Sequence, residues 1–344
     1  MRGIRLIPND SNVNFIGLRM AAFVISTMIV IASIFLIAQD GLNMGIDFTG
    51  GTVIEIRTPE TPNLENMRTS LNALGLGAIS IQEFGQADDL LIRLPEQKES
   101  EAEHAKRKQC IETHVGETEK CPTVNDKAIS SVKKSLDDTF NGAEIDYRRI
   151  EFVGPQVGQE LKLKGLYAII FSLLGIMVYI WFRFEWQFGV AALIALAHDS
   201  IATVGLFAYT QMEFNLSTVA AILMIAGYSI NDTVIVFDRI RENLRKFKKM
   251  PLDELFNFSV NQTLSRTIMT SLTTLLALVA LYTFGGEVIR GFVYALIFGI
   301  AVGTYSSIFV ASPILLMMNI KRGVLGTDSK DKSDQSADTA EAAS

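Results

Sequence analysis

The chain has 344 residues, 49% of them hydrophobic, with a formal net charge of −6 and a mean hydropathy of +0.28. The charged residues lie in blocks rather than being spread evenly, which describes a chain that is part membrane and part water-soluble. The acidic excess sits in the soluble blocks and the tail, so no basic face points to nucleic acid.

Residues 1–17 carry Arg2 and Arg5 and precede the first of six uncharged apolar runs long enough to cross a bilayer. The runs cover 18–38, 165–182, 188–208, 214–237, 267–284 and 292–318, giving a one-plus-five layout around a long polar segment. The first run has no Ala-x-Ala cleavage pattern before Asp40-Gly41, so it reads as a retained anchor. Lys and Arg set the orientation. With the N-terminus inside, the inner side holds Arg183, the cluster Arg239, Arg241, Arg245, Lys246, Lys248, Lys249 and Arg266, and then Lys321, Arg322, Lys330 and Lys332. The short outer loops offer only Arg290, which places both termini in the cytoplasm and the long segment outside.

Residues 39–164 read as an α+β domain. Thr52–Thr58 alternates Ile54 and Ile56 against Glu55 and Arg57, the pattern of a half-buried strand. A helix follows, with Thr61 as cap, Pro62 in the first turn and Leu64, Met67, Leu71 and Leu74 on one stripe, ended by Gly75 and Gly77. Two strands carry Ile79 and Ile81, then Leu90, Ile92 and Leu94, with Gly85–Asp89 as the turn. A second helix aligns Ile129, Val132, Leu136 and Phe140. The last strand, Glu144–Val153, buries Ile145 and Tyr147, then Ile150 and Phe152, and the change of parity predicts a bulge. The order β-α-β-β-α-β is the ferredoxin-like pattern. A charged insert, 95–124, holds both cysteines, Cys110 and Cys121; a disulfide in an oxidising compartment and two free thiols are equally compatible with it. No Cys/His cluster has metal-ligand spacing. Residues 319–344 are Ser, Asp, Ala and Lys with almost nothing apolar, and read as disordered.

Three titratable side chains fall well inside the runs: His198 and Asp199 in the third, Asp232 in the fourth. Ionised groups in hydrocarbon are costly and mark ion pathways, whereas hydrogen bonding between helices is the structural alternative. Arg266 opens the fifth run, where its long side chain can reach toward Asp232. Burial raises an aspartate's proton affinity and a cation lowers it, so a movable pair can load and release a proton. Ser229, Asn231 and Thr233 flank Asp232 as supporting polar groups. Gly299 and Gly303, with the small Thr304, Ser306 and Ser307, predict close packing of the sixth helix. Asp238–Lys249 reads as a basic segment lying on headgroups, meeting a partner, or simply solvated.

Several segments carry a resemblance. GLNMGIDFTGG (Gly41–Gly51), FVGPQVGQEL (Phe152–Leu161), His198-Asp199, GYSINDTVIVFDRIREN (Gly227–Asn243), RTIMTSLTTLLAL (Arg266–Leu278) and GTYSSIFVASP (Gly303–Pro313) occur in order on this layout. In them the chain resembles the SecD/SecF family of the resistance-nodulation-division superfamily, on its SecF side. The resemblance implies a half-transporter paired with SecD, associated with the SecYEG channel and with YajC and YidC, acting on unfolded secretory polypeptides in the plasma membrane. It further implies that protons are the coupling ion, with no other cofactor and no enzymatic activity, and that Asp232 and Arg266 belong to the proton site. Asp47, Gly50 and Gly51 match its signature motif. The insert is longer than the family's usual one. Other readings of the same plan are a proton-coupled exporter of small molecules or lipids and a non-transporting scaffold. No Walker-type loop is present, since Gly45–Gly51 lacks the lysine.

Overall fold

The computed structural model describes residues 12–77, 79–84, 86–97, 99–113, 121–140, 142–286, 289–318 and 320. The basic residues Arg2 and Arg5, the tail from 321 and the middle of the insert lie outside them. The chain divides into two compact units, one made of Met44–Tyr167 with Glu213–Leu216 and the other of the remainder.

The first unit contains the short helix α2 (Ile46–Thr49), β1 (Gly51–Arg57), α3 (Leu64–Asn72), β2 (Ser80–Phe84), β3 (Gln86–Leu94), α4 (Glu101–Thr113), α5 (Val124–Thr139) and β4 (Asp146–Val153). The strands form one antiparallel sheet in the order β2-β3-β1-β4. Ile54 and Ile56 of β1, Leu90 and Ile92 of β3, Met67 and Leu71 of α3, and Val132 and Leu136 of α5 fill its core. The alternating strand pattern and the helical stripes thus meet on one face of the sheet.

The caps differ from the expected ones. Asn63, not Thr61, starts α3: its side chain accepts from the backbone N–H groups of Glu65 and Asn66, and Pro62 stays outside the helix. Thr123 and Asp126 form a reciprocal capping box on α5. The turn between β2 and β3 is shorter than Gly85–Asp89. Gln86–Asp89 belongs to β3, where Arg57 pairs across the ladder with Asp89. The Arg57 guanidinium donates twice to the Asp89 carboxylate, at 2.7 Å each, and Arg148 lies 3.2 Å from it. These hydrogen bonds and charges hold the buried Asp89 carboxyl below the ordinary carboxylate range.

The register shift in β4 falls beside Glu55 and Ile56, with Arg148 as the extra residue between Tyr147 and Arg149. The bulge puts Tyr147, Ile150 and Phe152 on the helix-covered face. Ile150 and Phe152 nevertheless remain 37% and 47% exposed, against the expected burial, because β4 is an edge strand that the two helices do not cover along its whole length. In the insert, α4 buries none of its side chains, and Cys110 and Cys121 are joined by a disulfide.

The second unit holds the helices long and apolar enough to span a bilayer. With their full helical extents, the six candidate spans are Ile16–Gln39, Gln156–Arg183, Trp186–Thr210, Leu216–Lys246, Leu252–Phe284 and Arg290–Met317. They correspond to α1 (Arg19–Gln39), α6 (Pro155–Arg183), α7 (Trp186–Thr210), α8 (Leu216–Lys246), α9 (Leu252–Phe284) and a last rod built from α10 (Arg290–Ser306), a π-helical turn Ser307–Ala311 and α11 (Ser312–Met317). Several helices overrun their apolar runs: α6 starts ten residues early, and α8 continues through Lys246. The basic Asp238–Lys249 stretch is therefore mostly helix. It buries Ile240 and Leu244, and Asn243 donates to Ser259 Oγ and Gln262 Oε1 of α9 at 2.9 and 3.0 Å.

The π-turn has a local cause. Pro313 lacks the N–H that would bond Phe309, and its ring crowds that carbonyl, so the ladder opens. Ser312 Oγ donates instead to Ser307 O at 3.0 Å. Gly299 of α10 lies so close to Ile225 of α8 that a Cβ there would stand 2.2 Å from its Cδ1. A Cβ on Gly303 would stand 3.0 Å from that of Ser229. The outward faces of α1 and α6 are apolar and exposed, as surfaces that meet lipid or another spanning helix must be.

Two outcomes follow for the α+β unit. Leu136→Ala should destabilise it by about 2–5 kcal/mol, the usual cost of emptying a fully buried leucine site, read as a lower denaturant midpoint for the tryptophan-free unit by amide exchange in the full chain. Because the Asp89 carboxyl is held low in the folded state, its contribution is present above its ordinary range and is lost as pH falls through the folded value. Asp89→Asn should therefore flatten the acid limb of the unit's stability profile, followed by circular dichroism or exchange between about pH 5 and about pH 2.

Candidate functional site

Asp199 and Asp232 are both 1% exposed inside the helical unit, and their surroundings differ sharply. The Asp199 carboxylate is saturated. Its Oδ2 accepts from Ser229 Oγ of α8 at 2.6 Å and from Ser306 Oγ of α10 at 2.7 Å, and its Oδ1 lies 2.9 Å from His198 Nδ1. One acid on α7 thereby ties three helices together. Gly303 lets α10 approach the Ser229 donor closely, since a Cβ there would stand 3.0 Å from Ser229 Cβ and 3.2 Å from its Oγ.

Neither carboxylate oxygen of Asp232 has a hydrogen-bond partner among the described residues. It stands 14 residues before Lys246, about 21 Å along the helix at about 1.5 Å per residue. That is the middle of α8 rather than near its end, because the helix outruns the apolar stretch. Arg266 is likewise 14 residues into α9 and does not open it.

The antiparallel register of α8 and α9 locates the two groups. Asn243 meets Ser259, and Tyr228 Oη meets Thr274 Oγ1 at 3.4 Å. Counting between those contacts puts Thr270 level with Asp232, Ser271 beside it and Arg266 one turn nearer the connection. The Ser271 hydroxyl is the polar group nearest to hydrogen-bonding the Asp232 carboxyl, although no bond of good geometry joins them among the described residues, and Arg266 is the cation whose charge reaches it. Arg266 itself is exposed, and no ion pair within 4 Å joins it to Asp232 among the described residues. The expected pair is thus adjacent but open. Ser271 Oγ is already engaged with Thr304 Oγ1 of α10 at 2.7 Å.

Of the supporting residues, Ser229 and His198 join the Asp199 cluster. Thr233 is buried and donates to Ser229 O at 3.1 Å, while Asn231 points outward and is exposed. Ser306 and Thr304 were legible in the sequence only as small helix-packing residues, and Ser271 and Thr267 only as members of the Arg266–Leu278 motif. The signal that marks them as polar lining is spacing: Thr267 and Ser271 lie one turn apart on α9, and both are buried.

The Asp47 motif has a separate, local role. Gly45 N donates to Phe214 O at 2.9 Å, and a Cβ on Gly45 would stand 2.6 Å from Glu213 Oε1. Glu213 also pairs with Arg93 of β3 at 2.7 Å. Asp47 Oδ2 then accepts from Leu216 N at 2.8 Å, capping the first turn of α8. Gly50 and Gly51 take φ of +74° and +117°, and a Cβ on Gly51 would meet Leu94 O at 2.6 Å, so only glycine fits there. Asp47→Ala should cost about 0.5–2 kcal/mol, the usual loss of a helix N-cap, with faster amide exchange at the first turn of α8 as the readout.

Comparison with known proteins places this geometry. The family model "Protein export membrane protein SecD/SecF, C-terminal" matches residues 131–321, and the "SecD/SecF GG Motif" matches 35–58. "Protein translocase subunit SecF" from Rickettsia rickettsii is 45% identical over 91% of this chain and 94% of its own length. The subunit of the same name from Rickettsia bellii is 44% identical over 93% and 97%. Among solved structures, SecDF from Thermus thermophilus, described as a translocon-associated membrane protein, superposes with a TM-score of 0.74 at 34% identity over 91% of this chain. A second structure, SecDF in its Super-membrane-facing form, gives 0.61 at 32% identity. The chain spans 39% and 40% of those two SecDF chains.

Proposed function

Because the chain belongs to the SecD/SecF family of protein-export membrane proteins, we propose that it couples proton entry to polypeptide movement through Asp232 and Arg266. It is a multi-pass membrane protein and a subunit of the Sec export machinery, a transport component rather than an enzyme.

The mechanism rests on one observation: an aspartate 1% exposed, midway along a helix, with both oxygens unsatisfied. A buried carboxylate without donors is costly, and two events relieve the cost: uptake of a proton, or approach of the Arg266 cation one turn away. These events exclude each other, because a neutral acid does not hold a guanidinium. A proton arriving from outside neutralises Asp232 and leaves Arg266 exposed; its departure to the inside draws Arg266 in. Each charge crossing 100 mV supplies about 2.3 kcal/mol, enough to bias a two-state helix packing substantially. The proton is the coupling ion, and no other cofactor is required.

The remaining assignments follow the family. SecD supplies the complementary half, and SecYEG delivers the unfolded secretory polypeptide, with YajC and YidC as accessory partners. The α+β unit is ferredoxin-like, a reading supported by its antiparallel order β2-β3-β1-β4. It lies outside the membrane, between the first span and the five that follow, and both termini are cytoplasmic, as the Lys and Arg distribution supports.

Asp232→Asn provides the test. In inverted vesicles carrying the full chain and SecD, the variant should assemble normally yet lose the stimulation of export by an imposed pH gradient. Export that responds to the gradient equally with aspartate or asparagine at 232 would leave the subunit a scaffold.

A further inference from the structure

His198 is the third titratable group in the spans, and the scheme above leaves it idle. It is 5% exposed, and its Nε2 has no hydrogen-bond partner among the described residues. The direction of its other bond follows from Asp199. Two serine hydroxyls donate to Asp199 Oδ2 at 2.6 and 2.7 Å, distances typical of O–H to a carboxylate anion. An anion has no proton to give, so His198 Nδ1 carries the hydrogen and donates to Oδ1 across 2.9 Å. That tautomer leaves Nε2 as a bare, buried lone pair.

A proton on Nε2 changes this balance. The imidazolium it creates is already ion-paired with Asp199, and the uncompensated charge of the buried carboxylate is removed in the same step. We propose that His198 and Asp199 form a second proton-holding station, in which Nε2 takes the proton and Asp199 stays ionised as its counter-ion. The proposal rests on the proton-coupled reading of Asp232. The step is a proton exchange: Asp232 goes from carboxylic acid to carboxylate as His198 goes from imidazole to imidazolium, with no bond other than N–H and O–H made or broken.

The groups around the station suit that role. On α8, Ser229 bonds Asp199 and stands three residues from Asp232. On α10, Tyr305 places its ring 6.4 Å from the imidazole, and its hydroxyl is taken up by Ala22 O and Ser26 Oγ of α1, each at 3.1 Å. On α9, the one cation in reach of the acids is Arg266, which lies beside Asp232. The buried polar groups of α1 are only the hydroxyls of Ser26 and Ser33. Among the described residues, His198 is thus the one base facing Asp199 within bonding distance.

The chain has three histidines, and the other two, His104 and His114, belong to the charged insert. With His104→Asn and His114→Asn in place, solid-state ¹⁵N NMR of the full chain with SecD in phosphatidylethanolamine–phosphatidylglycerol bilayers reads His198 alone. Nδ1 should stay protonated throughout, and Nε2 should gain its proton as the pH is lowered. Asp232→Asn should move that midpoint, because coupled sites share their titration. An Nε2 that never titrates, or a tautomer with the hydrogen on Nε2 and Nδ1 bare, overturns the proposal. In vesicles, His198→Asn keeps a donor for Asp199 but cannot carry a proton, and should lose gradient-driven export as fully as Asp232→Asn. If assembled His198→Asn exports normally while Asp232→Asn does not, the second station is wrong and the first stands; if both export normally, the coupling reading itself fails. Should His198→Asn not assemble, the NMR titration of the native residue decides.

Discussion

A buried carboxylate has to find donors inside the protein, because the hydrocarbon of a bilayer offers none. That constraint organises the helical unit. Asp199 recruits Ser229, Ser306 and His198 from α8, α10 and its own helix, and Gly299 and Gly303 let α10 lie close to Ile225 and Ser229 of α8. The carboxylate is satisfied, and the cluster is a rigid joint.

Asp232 is the counterpart that remains unsatisfied. The two acids sit on neighbouring helices, each 1% exposed, and one accepts from three donors while the other has no bond of good geometry among the described residues. The difference lies in what each helix neighbour supplies. A group with its hydrogen bonds filled resists change of protonation, whereas a group left short of donors responds to any proton or cation that approaches. On α8, Ser229, tied to the saturated Asp199, stands three residues from the open Asp232.

The α+β unit is built on a different balance. Its core is an ordinary face of isoleucine and leucine between sheet and helices, and the buried Asp89 is ion-paired with Arg57 and Arg148. The Asp47 cap on Leu216 is the point at which this unit's first segment determines where α8 begins. Gly45, Gly50 and Gly51 permit it by admitting backbone approaches and dihedral angles closed to other residues.

The number of candidate spans, the order of the four strands with the two helices that cover them, and the identity of the acids within the apolar runs are local properties, and the sequence alone carried them, whereas the short α2 and the insert helix α4 went unread. Apolar run length, alternation and the cost of an acid in hydrocarbon need no knowledge of neighbours. Helix ends were less legible: α8 and α9 pass well beyond their apolar runs because Asn243, Ser259 and Gln262 satisfy one another there, a pairing invisible to a hydropathy window. The burial of Ile150 and Phe152 was misjudged because alternation reports a face and not whether a helix covers it. Which acid is saturated and which is open was decided only by the tertiary structure. Donors such as Ser306, more than a hundred residues from Asp199, become neighbours through helix packing alone, and a serine in an apolar run looks the same whether it fills space or holds a charge.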